Sequence, residues 1–227
     1  MPRQPGLPDH APDILVRDGL LTPTVRRDVA DLNREFLELG LCPELAGDAR
    51  FAWSEPVRRG LLETDEETRG RMAACPFTFF ELQLPPDRPG SVAEPGRVED
   101  IGWPVATGLI AGRWLSFAHL ALFLAWRLAD SEPLATRIAL GLPPSSELRL
   151  NEMCPSQLVQ LATWPGLIRP RWPAHQRFWA MLAGAGRSNT TVALQWAHCV
   201  GICLLGADHV RPPGSGGDSG PHRRPRR

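Results

Sequence analysis

The chain has 227 residues, of which 43% are hydrophobic and 22% charged, so it can bury the core of one domain or of two small ones. Its 25 arginines balance 25 acidic residues, and a net charge of zero predicts no polyanion partner. No stretch reaches about eighteen uncharged apolar residues, and the start MPRQPGLPDHAPD has no apolar run. We therefore expect a cytoplasmic protein without a membrane span.

The charge is unevenly distributed along the chain. Residues 1–100 contain 12 arginines and 19 acidic residues, a net charge of −7. Residues 101–227 contain 13 arginines and 6 acidic residues, a net charge of +7. This asymmetry predicts either two functional halves or a direct contact between them.

The N-terminal half begins with a predicted disordered tail, residues 1–13, followed by an acidic and mostly helical region, residues 14–84. Apolar spacing and cap residues predict helices over residues 24–41, 55–62 and 66–74. Aromatic and β-branched residues favour a strand over residues 77–84, although a helix continuing past Pro76 is an alternative. Residues 85–100 are rich in proline, glycine and acid, which indicates a linker.

Residues 101–210 are predicted to form an all-helical domain without strands. Its first helix, residues 114–129, is apolar on nearly all sides, which indicates a buried or dimer-forming helix. Five more helices are predicted over residues 132–140, 145–153, 155–163, 173–183 and 190–205. The Gly/Pro/Ser-rich residues 211–227 end in arginines and are expected to be a disordered basic tail, either solubilising or adding unspecific phosphate affinity.

Catalytic and cofactor motifs are absent from the sequence. It contains no nucleophile elbow, phosphate-binding loop, dinucleotide fingerprint or HExxH motif, so we predict neither an enzyme nor a cofactor. The five cysteines are Cys42, Cys75, Cys154, Cys199 and Cys203. Cys199 and Cys203 are four residues apart beside His198, but two further ligands and any CxxC are missing. Buried reduced thiols are therefore favoured over a metal site.

One basic segment is a candidate for binding nucleic acid. No acidic residue lies between Met153 and Ala207, whereas four arginines do. These arginines, together with His175 in the same segment, could face phosphates from a pair of helices joined by a short turn. The four are Arg169, Arg171, Arg177 and Arg187. The alternative is a helical hairpin whose arginines are merely solvated.

Five short runs, in order, resemble the FlhD family of flagellar regulators. They are Leu124-Ala125-Trp126-Arg127-Leu128; Ala135 with Leu140 and Gly141; SQLVQLA at 156–162; Leu167, Ile168, Arg171 and His175; and Gly201-Ile202 with Leu204. Together they span about 90 of the 227 residues. The N-terminal half has no counterpart in that family.

The resemblance implies an all-helical, intertwined homodimer that binds promoter DNA together with a partner subunit. It places Gln157, Leu161, Arg171 and His175 in the part that faces DNA or the partner. It also places Leu120, Leu124 and Leu128 in the dimer helix.

Two functional hypotheses follow from the sequence. The first is a bacterial transcriptional regulator in which the four arginines contact phosphates and no catalysis occurs. The second is a non-catalytic helical adaptor that binds protein and not DNA, favoured by the zero net charge, the eight tryptophans and the acidic half.

Overall fold

The computed structural model describes residues 21–45, 53–85, 108–164 and 166–210, and helices make up most of them. The helices are α1 (Pro23–Leu41), α2 (Glu55–Leu62), α3 (Glu66–Ala73), α4 (Gly108–Ser131), α5 (Pro133–Ala135), α6 (Pro144–Glu152), α7 (Pro155–Ala162), α8 (Gln176–Ser188) and α9 (Thr191–Val210). A 3-10 turn, Pro43–Leu45, follows α1, and a π-helical turn, Thr136–Leu140, follows α5. Two short strands are β1 (Phe80–Leu82) and β2 (Ile168–Pro170). The predicted mainly α fold is confirmed.

Three predictions lie wholly or mostly outside the described residues. They are the two predicted tails, residues 1–13 and 211–227, and the predicted linker, of which only Pro85 is described. The predicted helices of the N-terminal half, in contrast, all lie within the described part and are confirmed to within about two residues.

Helix α1 forms where the sequence places a cap and an apolar stripe. The hydroxyl of Thr22 accepts a hydrogen bond from the Val25 amide at 3.2 Å, and proline occupies the first turn, where no amide is needed. The predicted stripe is buried along its whole length: Val25, Val29, Leu32, Phe36 and Leu39. This helix packs against both α3 and α4, so it joins the two halves of the chain.

The long apolar helix α4 is a core element. It starts at Gly108, six residues before the predicted start, and packs against α1, α6 and α7. The side chains that face these helices are buried, whereas Ser116, Leu120 and Phe123 on the opposite side of α4 are exposed. None of the described helices is long and apolar enough to cross a membrane.

Contacts between the halves follow their opposite charges. On the outer surface, Arg113 of α4 donates to the Glu35 carboxylate of α1 at 2.8 Å, and Arg127 donates to Asp28 at 2.6 Å. These pairs are partly exposed, so each contributes only about 0.2–1 kcal/mol. Beneath them a single hydrophobic cluster contains side chains from both halves. The acidic N-terminal region therefore does not have a core of its own.

The two strands form an antiparallel ribbon that also joins the halves. Phe80 pairs with Pro170, Glu81 with Arg169, and Leu82 with Ile168. The prediction that residues 101–210 are all-helical is therefore wrong at β2. Three residues are too few to show the period-two pattern of a strand, and a proline within them argues against one. Pairing with β1 across the fold decides the conformation.

A buried polar network fixes the chain around β1. The Asn33 amide group donates to the Ala73 and Phe77 carbonyls at 3.1 and 2.8 Å, and its oxygen accepts from the Phe79 amide at 2.8 Å. The Thr78 amide donates to the Ala139 carbonyl at 2.8 Å. Because buried backbone groups are costly without partners, these bonds specify where this irregular segment lies.

Arg171 completes this network from the other half of the chain. Its side chain is only 5% exposed, and its Nε donates to the Phe80 carbonyl at 2.8 Å. Its Nη2 donates to the Leu140 carbonyl and reaches the Thr78 hydroxyl at 3.4 Å. Leu140 ends the π-helical turn, so the cation lies where helix carbonyls concentrate negative charge.

Gly141 is required beside this guanidinium for two reasons. Its φ of 63° lies in the left-handed region, which confirms the predicted helix stop. A Cβ at this position would also overlap the guanidinium of Arg171. The residue after Arg171, Trp172, has a φ of 49° and is held by contacts with the rings of Phe77 and Phe178. Tertiary packing therefore maintains a strained turn here.

We expect the Arg171→Ala variant to lose about 3 kcal/mol of the free energy of unfolding, because the buried Leu140 carbonyl loses its donor, the Phe80 carbonyl keeps only the Thr78 hydroxyl, and a cavity is left. Arg171→Lys should recover little of this loss, since an ammonium group lacks the planar fork of donors. Urea unfolding measures both effects. The exposed Arg169→Ala variant, two residues away, is the control and should change stability by less than about 0.5 kcal/mol. Equal losses at both positions would contradict this role for Arg171.

Candidate functional site

Arg171, the central residue of the predicted nucleic-acid surface, is not on the surface. Arg171 is buried and bonded to backbone carbonyls, so it cannot contact a phosphate without unfolding the ribbon. The prediction of a DNA-facing Arg171 is therefore wrong. Nothing in the local sequence distinguishes a buried arginine from an exposed one, because its partners come from residues 78–80 and 140.

The other basic candidates are exposed, but they lie on different elements or at opposite ends of one helix. The strand register places Arg169 directly opposite Glu81, so an acidic neighbour lies on the same face of the ribbon. Arg177 lies in the first turn of α8 and Arg187 in its last turn, about 15 Å apart along the axis. His175 is the N-cap residue of the same helix and is exposed.

Gln157 has a local structural role. Its side-chain oxygen accepts a hydrogen bond from the Cys154 amide at 2.8 Å, which caps the start of α7. The side chain is exposed in this arrangement, but its oxygen is already used within the chain.

The three predicted dimer residues on α4 point in different directions. Leu124 is 7% exposed and Leu128 is fully buried, and both belong to the hydrophobic cluster of the single chain. Both side chains are used within the single chain, because they lie on the sides of α4 that contact α1, α6 and α7. Their role in a dimer interface stays a prediction. Leu120, in contrast, is 61% exposed.

A different helix, α9, presents a row of exposed apolar side chains and thiols. It packs mainly against α8 and buries one row of residues: Ala197, Gly201 and Leu205. A second row is exposed: Val192, Trp196, Cys199 and Cys203. We call this exposed row the α9 seam. Because residues advance by about 100° around a helix, the centres of the two rows lie about 180° apart.

The close contact of α9 with the core depends on Gly201. A Cβ at this position would overlap the ring of Phe77, so only glycine allows the helix this approach. The ring of Phe77 is itself packed against Trp172 and Phe178. One side of α9 is thus firmly held, which fixes the opposite side as the exposed one.

The side chains of the α9 seam are large and well exposed. Val192 is 68% and Trp196 67% exposed, the two highest values among the exposed large hydrophobic residues of the described chain. The other members of that group lie on α2, α4, α5, α6 and α7, and only Leu120 and Phe123 are neighbours on one helix: Leu62, Leu120, Phe123, Leu134, Leu148 and Val159. Among the described helices, only α9 aligns exposed apolar residues with two exposed thiols.

The exposed thiols also correct a sequence prediction. Cys199 and Cys203 were expected to be buried, but only Cys75 is buried among the five cysteines. The periodicity of α9 did not reveal this, because its few polar residues, Thr191, Gln195 and His198, lie to one side of the exposed row and do not mark it. The exposed row has helical 4-3-4 spacing, but the buried row of Ala197, Gly201 and Leu205 has helical spacing too, so spacing alone does not separate them.

His198 lies between the two faces of α9. Burial lowers its pKa to about 4, and its Nε2 has no hydrogen-bond partner within the described chain. It is therefore a neutral side chain packed into the helix interface at ordinary pH, consistent with a structural role.

Sites for small ligands are poorly developed in the described chain. No group of three or more His, Cys, Asp or Glu side chains is arranged there to hold a metal ion. Of the clefts there, one of about 270 Å³ is lined by Arg34, Glu38, Glu66 and Arg69. Another, of about 200 Å³, lies between α2 and α8. Both are smaller than the roughly 300–1,000 Å³ typical of small-molecule sites.

The chain matches no protein-family model, no curated protein and no solved structure.

We expect the acid sensitivity of the fold to depend on His198. Its pKa is lowered in the folded state, so below the ordinary pKa of 6.5 the unfolded chain binds a proton that the folded chain does not. Stability is full above pH 6.5 and falls as the pH drops towards 4, by about 2 kcal/mol between pH 7 and pH 5. Urea unfolding at both pH values measures this, and His198→Gln should reduce the loss by that amount. His175→Gln, at an exposed histidine, is the control; an unchanged pH dependence in His198→Gln would contradict the assignment.

Proposed function

We propose that this chain is a non-catalytic helical interaction module that binds a partner protein through the α9 seam. The observation that carries the proposal is the exposure of Trp196, Val192, Cys199 and Cys203 in one row on a helix whose other side is held by the core. Aligned exposed apolar residues on a folded surface are typical of protein contact sites.

The energetics of this surface favour a protein partner. Trp196 is two-thirds exposed, so covering it removes on the order of 100 Å² of apolar surface from water, worth about 2–3 kcal/mol. Tryptophan is also among the residues that most often dominate binding energy at interfaces. Because α9 is already folded against α8, binding does not include the cost of forming the helix.

Charge supports the same kind of partner. No Asp, Glu, Lys or Arg occurs from Thr191 to Gly206, so the seam offers no guanidinium to a phosphate and no carboxylate to a basic ligand. A matching partner surface is therefore apolar and uncharged, as in the centre of a helix–helix contact.

A second candidate function is DNA binding, as the resemblance to FlhD implies. The observations that favour it are the exposure of Arg169, Arg177 and Arg187 and the absence of acidic residues from 154 to 206. It is weakened by the burial of Arg171 and by Glu81 opposite Arg169. The adaptor hypothesis therefore ranks first.

Photocrosslinking tests the α9 seam as a contact site. We expect a benzophenone amino acid in place of Val192 to form a protein adduct in cells that produce the full chain. The same probe in place of Leu148, which is 66% exposed on α6, should form none. Trp196→Glu should abolish the adduct at position 192 because it places a charge in the apolar contact. Equal adducts at both positions, or adducts that survive Trp196→Glu, would contradict the proposal.

A mobility-shift titration at low salt tests the second candidate. If α8 binds phosphates, Arg177→Ala with Arg187→Ala should weaken binding. The logarithmic salt dependence should also become shallower, by about 0.9 for each phosphate that the variant no longer neutralises. The control is Arg26→Ala with Arg27→Ala, which removes the same charge from exposed positions of α1. The absence of any shift, or equal weakening by both double variants, would rule out DNA binding by this helix.

A further inference from the structure

Building on the proposed function, we infer that the occupant of the α9 seam is the same seam on a second copy of this chain. The chain is a homodimer joined by two α9 helices. This places the dimer contact on the last helix, away from the α4 helix implied by the resemblance.

The spacing of the seam selects a helix as its occupant. Val192, Trp196, Cys199 and Cys203 follow one another at intervals of four, three and four residues, and Gly206 extends the row by three. This is the heptad repeat by which two helices pack side by side. The row covers about 21 Å of the helix axis, and its small members let another helix approach closely.

The absence of charge fits an identical helix. Charged residues beside a heptad row normally choose the partner and its orientation, and α9 has none from Thr191 to Gly206. A partner with charges at those positions would find no opposite charge here. A second copy presents the same uncharged row, so a two-fold contact matches it without an unpaired group.

The composition of the residues that directly follow α9 is poorly suited to cover the seam. Residues 211–227, which follow α9, contain no alanine, valine, leucine, isoleucine, methionine, phenylalanine or tryptophan. They therefore have no apolar row to place on Trp196. Their five arginines also disfavour burial beside an apolar surface.

Cys199 lies at the centre of the row, midway between Val192 and Gly206. In a two-fold pair centred on the seam, the two Cys199 side chains meet whether the helices run parallel or antiparallel. This gives a distance test that does not depend on orientation.

Sedimentation velocity over a hundredfold concentration range tests the dimer. We expect the full chain to dimerise with a dissociation constant on the order of micromolar, since the seam is narrow. Trp196→Glu should weaken dimerisation at least tenfold. Leu148 is 66% exposed, close to the 67% of Trp196, so Leu148→Glu is the matched control and should leave dimerisation unchanged. Leu120→Glu on α4 should also leave dimerisation unchanged. Circular dichroism should show that all three variants remain folded.

Thiol crosslinking tests the contact itself. A variant that keeps Cys199 but carries Cys42→Ser, Cys154→Ser and Cys203→Ser should form a covalent dimer with a short bismaleimide. A matching variant that keeps only Cys154 among the accessible thiols should not. Cys154 is exposed, and hydrogen bonding to Ser156 lowers its pKa, so it is reactive enough to serve as the control. Cys75 remains in both variants, since it is buried.

The outcomes separate this inference from the proposed function. A chain that is monomeric at all concentrations overturns the homodimer, and so does a dimer lost in Leu120→Glu but kept in Trp196→Glu. Such a monomer can still form adducts with another protein at position 192 that depend on Trp196. In that case the proposed interaction module is supported, and its partner is a different protein. If no adduct forms either, both proposals fail.

Discussion

The guanidinium of Arg171 holds three separate parts of the chain at one buried point. It is bonded to the carbonyl of Phe80 in β1 and to the carbonyl of Leu140 at the end of the π-helical turn, while its own backbone pairs with Phe79. A buried cation is stable only when its donors are satisfied, so β1, β2 and the turn before Gly141 depend on one another. Because β1 and β2 come from opposite halves, this interaction also joins them.

The position of the candidate surface follows from that constraint. The turn after β2 carries the strained Trp172, whose ring packs against Phe77 and Phe178. Phe77 in turn occupies the space that Gly201 leaves open, which brings α9 against the core by one side. The opposite side, with Trp196 near its centre, is left exposed because no other described element covers it. Core packing thus determines which side of a mostly apolar helix is available to a partner.

This arrangement supports a protein that acts by contact. The acidic and basic halves neutralise one another on the outer surface, as at Arg113 with Glu35 and Arg127 with Asp28. The charge asymmetry of the sequence is therefore partly used within the fold. What remains for a partner is an uncharged heptad row, which supports a helix–helix contact better than an electrostatic one.

The sequence by itself determined the helices, because their information is local. The cap at Thr22, the stripe from Val25 to Leu39 and the stop at Gly141 depend on residues within a few positions of one another. Only the tertiary structure decided the burial of Arg171, the formation of the short strand β2 and the exposure of Cys199. A three-residue strand exists through its partner across the fold, and in the mostly apolar α9 the polar residues do not mark the exposed row. These features depend on which distant residues meet, and no local pattern records that.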